Sequence, residues 1–401
     1  MSAGWQTKTV QSLCEDVNVG HVGPSSMHRD PNGIPFLMGK NIGFGTIHTH
    51  NIERVTEKFH HSQPKSKLRV GDIVVVRIGK SGQAAKIPIS FGEANCSGLV
   101  IIKQPKDIDT DFLVYYLNSP IGRGYSLSQA RGSTRLTLNT SSVAETVVPA
   151  PSLREQRRIV GILDEAFVGI ATAKANSEKN CQNASALFQS HLQSVFAQRG
   201  TGWVDRTLDE VCVVERGSSP RPIKEYFTTK SDGVNWIKIG DTEEGGKYVS
   251  STAQKITPKG AKQSRFVKEG DFILTNSMSF GRPYIMKTSG YIHDGWFVLR
   301  LNVAIDTDYF YYLLSSPVVQ SQFASLASGS VVKNISGDLV KKAVLPIPPL
   351  EQQQVIVEKL KRLSEETQRL EALYQRKLAA LGALKSSLLY QAFTGKLTTT
   401  P

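Results

Sequence analysis

The feature that most limits how this chain can fold occurs twice. Pro151-Ser152-Leu153-Arg154-Glu155-Gln156 opens a run without proline as far as Gln198, and Pro348-Pro349-Leu350-Glu351-Gln352-Gln353 opens a second such run up to Gly395. Ile159, Leu163, Ala166 and Ile170 answer Ile356, Leu360, Leu363 and Thr367 at one offset (356 − 159 = 197). The same offset still relates Leu187, Ser190, Leu192 and Phe196 to Leu384, Ser387, Leu389 and Phe393. Proline suits the start of a helix, where its missing N–H costs nothing, and strong helix formers follow in both runs. Apolar residues recur at alternating steps of three and four, the 3.5-residue seam of paired helices. A helix lying on a globular core would carry a broader apolar stripe. Pairing is therefore expected through Ile159, Leu163, Ala166 and Ile170 on one helix and Ile356, Leu360, Leu363 and Leu370 on the other. Gly169 and Gly382 weaken their helices by about 1 kcal/mol each relative to Ala without ending them. Each helix would be about 70 Å long at ~1.5 Å per residue.

The repeat extends outside the helices. Gly4-Trp5 and Thr9-Val10-Gln11-Ser12-Leu13-Cys14 answer Gly202-Trp203 and Thr207-Leu208-Asp209-Glu210-Val211-Cys212. Gly33-Ile34-Pro35-Phe36-Leu37 answers Gly233-Val234-Asn235-Trp236-Ile237, each a short apolar strand after a loop. Gly71-Asp72 followed by Ile73-Val74-Val75-Val76, and Gly270-Asp271 followed by Phe272-Ile273-Leu274, read as a turn leading into a buried strand. Asp109-Thr110-Asp111 and Asp306-Thr307-Asp308 supply caps and an acidic first turn for a helix. The resulting fold class is α+β: two mixed α/β heads at 1–151 and 200–348, followed by long helices at 152–199 and 349–401. The second head must be carried away by the first helix and the second helix must bring the chain back. Antiparallel pairing, with the heads at opposite ends about a pseudo-twofold axis, is the expectation.

A net charge of +13 points to a polyanionic partner. No segment forms a basic tail, so a nucleic-acid face would have to be assembled by folding. Cys14, Cys96, Cys181 and Cys212 form no CxxC pair and no secreted-type framework, as expected in a reducing cytoplasm. Cys14 and Cys212 sit at equivalent places and read as packing residues. No leader pattern or bilayer-length apolar run occurs in the sequence given, so a cytoplasmic, non-membrane protein is expected.

The motifs of nucleic-acid enzymes are absent. Pro348-Pro349 lacks the Asn/Asp and aromatic flanks of an amino-methyltransferase turn. Gly79-Lys80-Ser81 has Val74 where a phosphate-binding loop needs glycine, and no Asp/Glu-x-Lys triplet occurs. His48, His50, His60 and His61 lack the partners that would complete a zinc pattern. No catalytic residue, metal site or cofactor site is expected in this chain.

Candidate DNA contacts lie where Gly or Ser adjoins Arg, Lys or Asn beside a strand end. In the first head these are Arg77, Lys80, Ser81, Arg131 and Arg135. In the second they are Arg216, Ser218, Arg221, Asn276, Ser277, Ser279, Arg282 and Lys333. Arg reads guanine edges and Asn adenine, while Ser, Lys and backbone N–H bind phosphate. Arg77 faces Asn276 and Lys80 faces Ser279 across the repeat, so one scaffold carries two different loops.

This pattern resembles the specificity subunits of Type I restriction–modification enzymes over nearly the whole chain. The carriers are Pro151-Ser152-Leu153-Arg154-Glu155-Gln156 and Pro348-Pro349-Leu350-Glu351-Gln352-Gln353, similar to the family's Pro-Leu-x-x-Gln opening of each conserved helix. Leu187-Phe188-Gln189-Ser190, Leu384-Lys385-Ser386-Ser387 and Phe393-Thr394-Gly395-Lys396-Leu397 resemble its closing motif. The first copy departs there, because Phe196-Ala197-Gln198-Arg199-Gly200 lacks the Gly-Lys-Leu ending. The resemblance implies two target-recognition domains, each reading one half of a split double-stranded DNA site. It also implies helices that set the gap and dock two methyltransferase subunits, with restriction subunits joining them. Adenine would be methylated at N6, and S-adenosylmethionine, ATP and magnesium would be bound by the partners. A stand-alone DNA-bridging or regulatory protein, or a coiled-coil scaffold with protein-binding heads, remains open from the residues alone.

Overall fold

A computed structural model describes residues 5–79, 81–128, 137–243, 245–276, 281–327 and 336–397. The chain divides into two compact units, Met1–Glu178 with Arg376–Pro401, and Lys179–Gln375. Each unit holds one head and one segment of each long helix. The helices span Leu153–Ala197 and Leu350–Phe393 and continue through Gly169 and Gly382.

In the first unit an antiparallel sheet runs in the order Asp16–Val19, Leu99–Lys103, Ile73–Val76, Ala84–Lys86. A second sheet runs Glu53–Val55, Arg29–Leu37, Ala94–Cys96, Lys67–Leu68, with its middle pair parallel. The second unit repeats both orders. Its first sheet is Cys212–Arg216, Trp296–Leu301, Phe272–Thr275, Pro283–Met286, with Tyr248–Val249 added at the edge. Its second sheet is Gln254–Ile256, Val234–Ile237, Gly290–Ile292, Arg265–Val267, with Phe227–Thr228 added beside Gln254–Ile256. The Gly-Asp strands lie in the middle of each first sheet and are buried along their whole length. This explains their continuous Val/Ile/Phe/Leu character.

The Gly-Asp pair has a local cause in both heads. Gly71 and Gly270 take φ +88° and +87°, which only glycine adopts freely. The next residue turns inward. Asp72 accepts the Arg69 N–H at 2.9 Å and pairs with Lys103 at 3.0 Å. Asp271 accepts the Lys268 N–H and pairs with Arg300, both at 3.1 Å. A buried carboxylate is tolerated because charge and hydrogen bonds compensate its lost hydration.

The glutamines of the repeated opening motif tie each long helix to its own head. Gln156 and Gln353 are both 1% exposed. Gln156 accepts the Asp109 N–H at 2.7 Å and donates to the Pro151 carbonyl at 2.8 Å. Gln353 accepts the Asp306 N–H at 2.8 Å and donates to the Pro348 carbonyl at 2.9 Å. Asp109 and Asp306 in turn cap the helices Thr110–Asn118 and Thr307–Ser315, as the acidic first turns predict.

Within each unit the long helices run antiparallel. In the first, Ile159 and Leu163 share a core with Leu389, Ala392 and Phe393, while Phe167, further along, meets Lys385, further back. In the second, Leu192 and Phe196 share a core with Val357 and Leu360, and the Gln375 amide meets Cys181 Sγ at 3.5 Å. Phe393 packs edge-on against Phe112 and Tyr116, and Phe196 packs against Tyr309. Of the residues expected to pair, Ile159, Leu163 and Leu360 are fully buried, and Ala166, Ile170, Ile356, Leu363 and Leu370 are half-buried. Polar residues also enter the seam. Ser177 and Thr367 are buried, each bonding its hydroxyl back to the carbonyl four residues earlier. Cys14, Cys96 and Cys212 are buried packing residues. Burial pushes the Cys14 thiol up to about 11 and those of Cys96 and Cys212 up to about 12. They stay protonated thiols at neutral pH.

Candidate nucleic-acid interface

Each first sheet sends a loop from its Gly-Asp strand to the next strand, and the two loops are closed alike. The Gly82 N–H donates to the Val76 carbonyl and the Gly281 N–H to the Thr275 carbonyl, both at 2.9 Å. The Arg77 N–H donates to Gly98 O at 3.4 Å, and at the equivalent point the Asn276 N–H donates to Gly295 O at 2.9 Å. The frame repeats while the side chains differ.

In the first head, Arg77 Nε donates to the Leu138 carbonyl at 3.0 Å, and the Leu138 N–H donates back to the Arg77 carbonyl at 3.0 Å. Ile78 also forms an isolated antiparallel bridge with Thr137. The end of the segment that carries Arg131 and Arg135 is thus joined to the loop of Arg77. Lys80, Arg131 and Arg135 lie outside the described residues. Ser81 is placed differently from its expected role as a phosphate contact. It is buried, and its hydroxyl donates to the Arg77 carbonyl at 2.8 Å, so it closes the loop.

In the second head three of the expected residues, Arg216, Arg221 and Asn276, converge on Asp294. Its carboxylate pairs with Arg221 at 3.0 Å and accepts the Ser219 hydroxyl at 2.9 Å. Its carbonyl accepts the Asn276 amide at 2.9 Å and Arg216 Nε at 3.4 Å. Burial raises the Asp294 carboxyl. The Ser219 hydroxyl, its own N–H, His293 and Arg221 outweigh that and hold it below the usual carboxylate value. His293 beside it is lowered chiefly by burial. Asn276 is 1% exposed. Its amide is committed to the loop frame rather than presented for adenine. Ser218 is exposed and donates to the Gln263 carbonyl at 2.7 Å. Arg216, Arg221 and Arg282 are exposed. Ser277, Ser279 and Lys333 lie outside the described residues.

In the second head, then, the described residues form an exposed surface carrying Arg216 and Arg221, with the Asp294 carboxylate holding Arg221 in place. Such a surface suits phosphate and base-edge contacts. Asp294 is a residue the sequence reading missed, since nothing in Ile292-His293-Asp294-Gly295 marks it as the meeting point of separate loops. Among the described residues, no group of three or more His, Cys, Asp or Glu side chains could hold a metal. His60 instead is buried beside Glu93 and Asn95. No helix among the described residues is long and apolar enough to cross a membrane.

Comparison with known proteins agrees with this architecture. The StySPI type I restriction enzyme specificity subunit of Salmonella potsdam is 22% identical over 98% of this chain and 89% of its own length. A chain solved in work on complex assembly and conformational transition of the type I R-M system has a TM-score of 0.81 at 20% identity, covering 99% of both chains. The HsdS subunit of Thermoanaerobacter tengcongensis has a TM-score of 0.60 at 20% identity, covering 98% of both. At that identity these structures speak for the fold. The family model of the type I restriction modification DNA specificity domain matches twice, over residues 2–179 and 200–378. With two copies of that domain spanning most of its length, the chain belongs to the type I restriction–modification DNA specificity family.

Proposed function

We propose that this chain is the DNA-recognition subunit of a Type I restriction–modification complex, in which each head reads one half of a bipartite site. The observation that carries this reading is the repeated loop frame with unlike side chains, Arg77 in one head and Asn276 in the other. One scaffold repeated with two surfaces is what a split, asymmetric site requires. Arg216, Arg221 and Arg282 are assigned to base or phosphate contact in the second head. Arg77, Lys80, Arg131 and Arg135 are assigned so in the first, with Ser218, Ser277, Ser279 and Lys333 as phosphate contacts. Ser81 and Asn276 hold the loops that present them.

The long helices set the gap between the half-sites and dock two methyltransferase subunits, to which restriction subunits add. Exposed leucines at the constant offset support two copies of one partner: Leu153 with Leu350, and Leu187 with Leu384. Adenine is the methylated base. S-adenosylmethionine, ATP and magnesium are bound by the partners, and this chain performs no chemistry itself.

Purified chain should bind duplex DNA with strong salt dependence. It should show no methyl transfer, ATP hydrolysis or cleavage when given DNA, S-adenosylmethionine, ATP and magnesium. Purification of the native complex should bring down a methyltransferase. Turnover that stays with the stringently washed chain, or a native chain without a methyltransferase, would overturn the reading.

A further inference from the structure

In both heads, one side chain outside the loops holds the loop end. Arg123, on the helix Pro120–Ser128, donates Nη2 to the Ser81 carbonyl at 3.2 Å, with its guanidinium 5.0 Å from the centre of the Phe44 ring. Gln320, on the helix Pro317–Ala327, donates Nε2 to the Gly281 carbonyl at 2.6 Å and to the Leu314 carbonyl at 2.7 Å. The two residues are related by the helix offset (320 − 123 = 197), although the loops they hold differ in sequence.

The loop ends are shaped to receive them. Gly82 and Gly281 take φ +83° and +78°. A Cβ on Gly82 would lie 3.5 Å from Arg123 Nε, and one on Gly281 would lie 3.1 Å from Gln320 Oε1. Each residue also borders open space. Arg123 lines a cavity of about 480 Å³ whose other wall includes Gly382, Lys385 and Ser386 of the second long helix. Gln320 lines one of about 510 Å³ whose wall includes Ser185, Phe188 and Gln189 of the first. These walls are themselves equivalent at the 197 offset (382 − 185 = 197). A Cβ on Gly82 would also lie 3.9 Å from Leu138 Cδ1 and one on Gly281 3.1 Å from Phe323 Cδ2, so each loop end rests on its core while Arg123 or Gln320 adds a directional bond on the cavity side.

We propose that Arg123 and Gln320 are positioning residues, each setting the reading loop of its own head without touching DNA. The inference rests on the reading that the loops 77–82 and 276–282 contact DNA. Arg123→Ala should cost about tenfold or more in discrimination at one half-site, the scale of one misplaced base contact, and leave the other half unchanged. Gln320→Ala should do the same at the opposite half. Arg123→Gln, which installs the donor used by the other head, should keep discrimination, while Gln320→Glu, which cannot donate, should behave like Gln320→Ala.

The test is competition binding of the full chain to duplexes with single-base changes in each half-site, at several salt concentrations, with melting temperature as a folding control. The untouched half-site is an internal control, and the near-isosteric Gln320→Glu and the shorter but donor-keeping Arg123→Gln variants carry the test should the Ala variants fold poorly. The proposal is overturned if Arg123→Ala and Gln320→Ala leave both halves selective while Lys80→Ala and Arg282→Ala relax them. It is also overturned if Arg123→Ala and Arg123→Gln both lower the salt slope by about one, the mark of a lost phosphate contact. If Lys80→Ala and Arg282→Ala have no effect either, the assignment of the loops to DNA has failed instead.

Discussion

The edge strands Asp16–Val19 and Cys212–Arg216 end at the same fixed point in the two heads, and the chain then goes two ways. Gly20 donates its N–H to Leu99 O and Gly217 donates to Trp296 O, both at 2.8 Å. A Cβ would come within 2.7 Å of Cys96 Sγ at the first and 2.1 Å of the His293 carbonyl at the second, so both positions need glycine. Beyond it the first head runs His21-Val22-Gly23-Pro24, with His21 against Gln63 at 3.2 Å. The second runs Ser218-Ser219-Pro220-Arg221, gathered onto Asp294. The place of Asp294 is taken in the first head by Ser97, whose hydroxyl donates to the His21 carbonyl at 2.9 Å. The comparison shows where the chain is free to vary. Backbone closure is shared, and the side chains beyond it carry the difference.

The junctions between head and long helix differ in the same way. In the first unit Asp111 pairs with Lys86 at 2.6 Å, and Tyr115 donates to Asp164 of the helix. In the second, Asp308 is held by both Lys247 and Lys361, the latter on the helix. Asp164 and Lys361 occupy equivalent helix positions with opposite charge, so each helix start is matched to its own head.

The largest expected effect tests what the two halves share. Inserting two residues near Ala173 rotates the following seam by about 200° and should abolish folding or assembly. Inserting four should roughly preserve the seam and lengthen the helix by ~6 Å. In the proposed complex an active four-residue variant should then direct methylation to sites with one or two more base pairs between the halves, at ~3.4 Å per step. Next in size, Gln156→Ala and Gln353→Ala should each destabilise by about 1–3 kcal/mol, since each leaves a buried N–H and carbonyl unpaired. Denaturant titration should find the two similar, and a large inequality would break the equivalence of the units.

Smaller effects test the differences. Asp294→Ala should relax the half-site of the second head by about 1 kcal/mol of discrimination. Ser97→Ala in the first head should not relax the other half, which half-site competition binding would check. Asp308 is raised by burial, but Lys247 and Lys361 outweigh this and hold its carboxyl below the ordinary 3.8. Its contribution to stability is therefore present above pH 3.8 and is lost as pH falls through the lower folded-state value. Relative to Asp308→Asn, the wild type should gain less than about 1 kcal/mol at neutral pH because the group is partly solvated. In melting experiments that gain should begin to shrink as pH falls below 3.8 and vanish only below the lower folded-state value.

The helices were legible because periodicity and proline placement are local. The structure ends the first within two residues of the expected 152–199, whereas the second stops at Phe393, short of the expected 401. The Gly-Asp strands and the Asp109 and Asp306 caps were legible for the same reason. Asp294, Arg123 and Gln320 were not. Their roles arise only when segments tens of residues apart meet, and each looks in sequence like an ordinary surface polar residue. Ser81 and Asn276 show the converse. A small polar residue beside a glycine reads as an exposed contact, yet a closing loop needs its own donors first.

On the proposed function, the two heads read DNA separately. The direct test is genome-wide mapping of adenine methylation by the complex carrying Arg216→Ala, Arg221→Ala and Arg282→Ala together. One half of the bipartite site should become degenerate while the other half and the gap stay as in the wild type. Equal change in both halves would contradict separate reading.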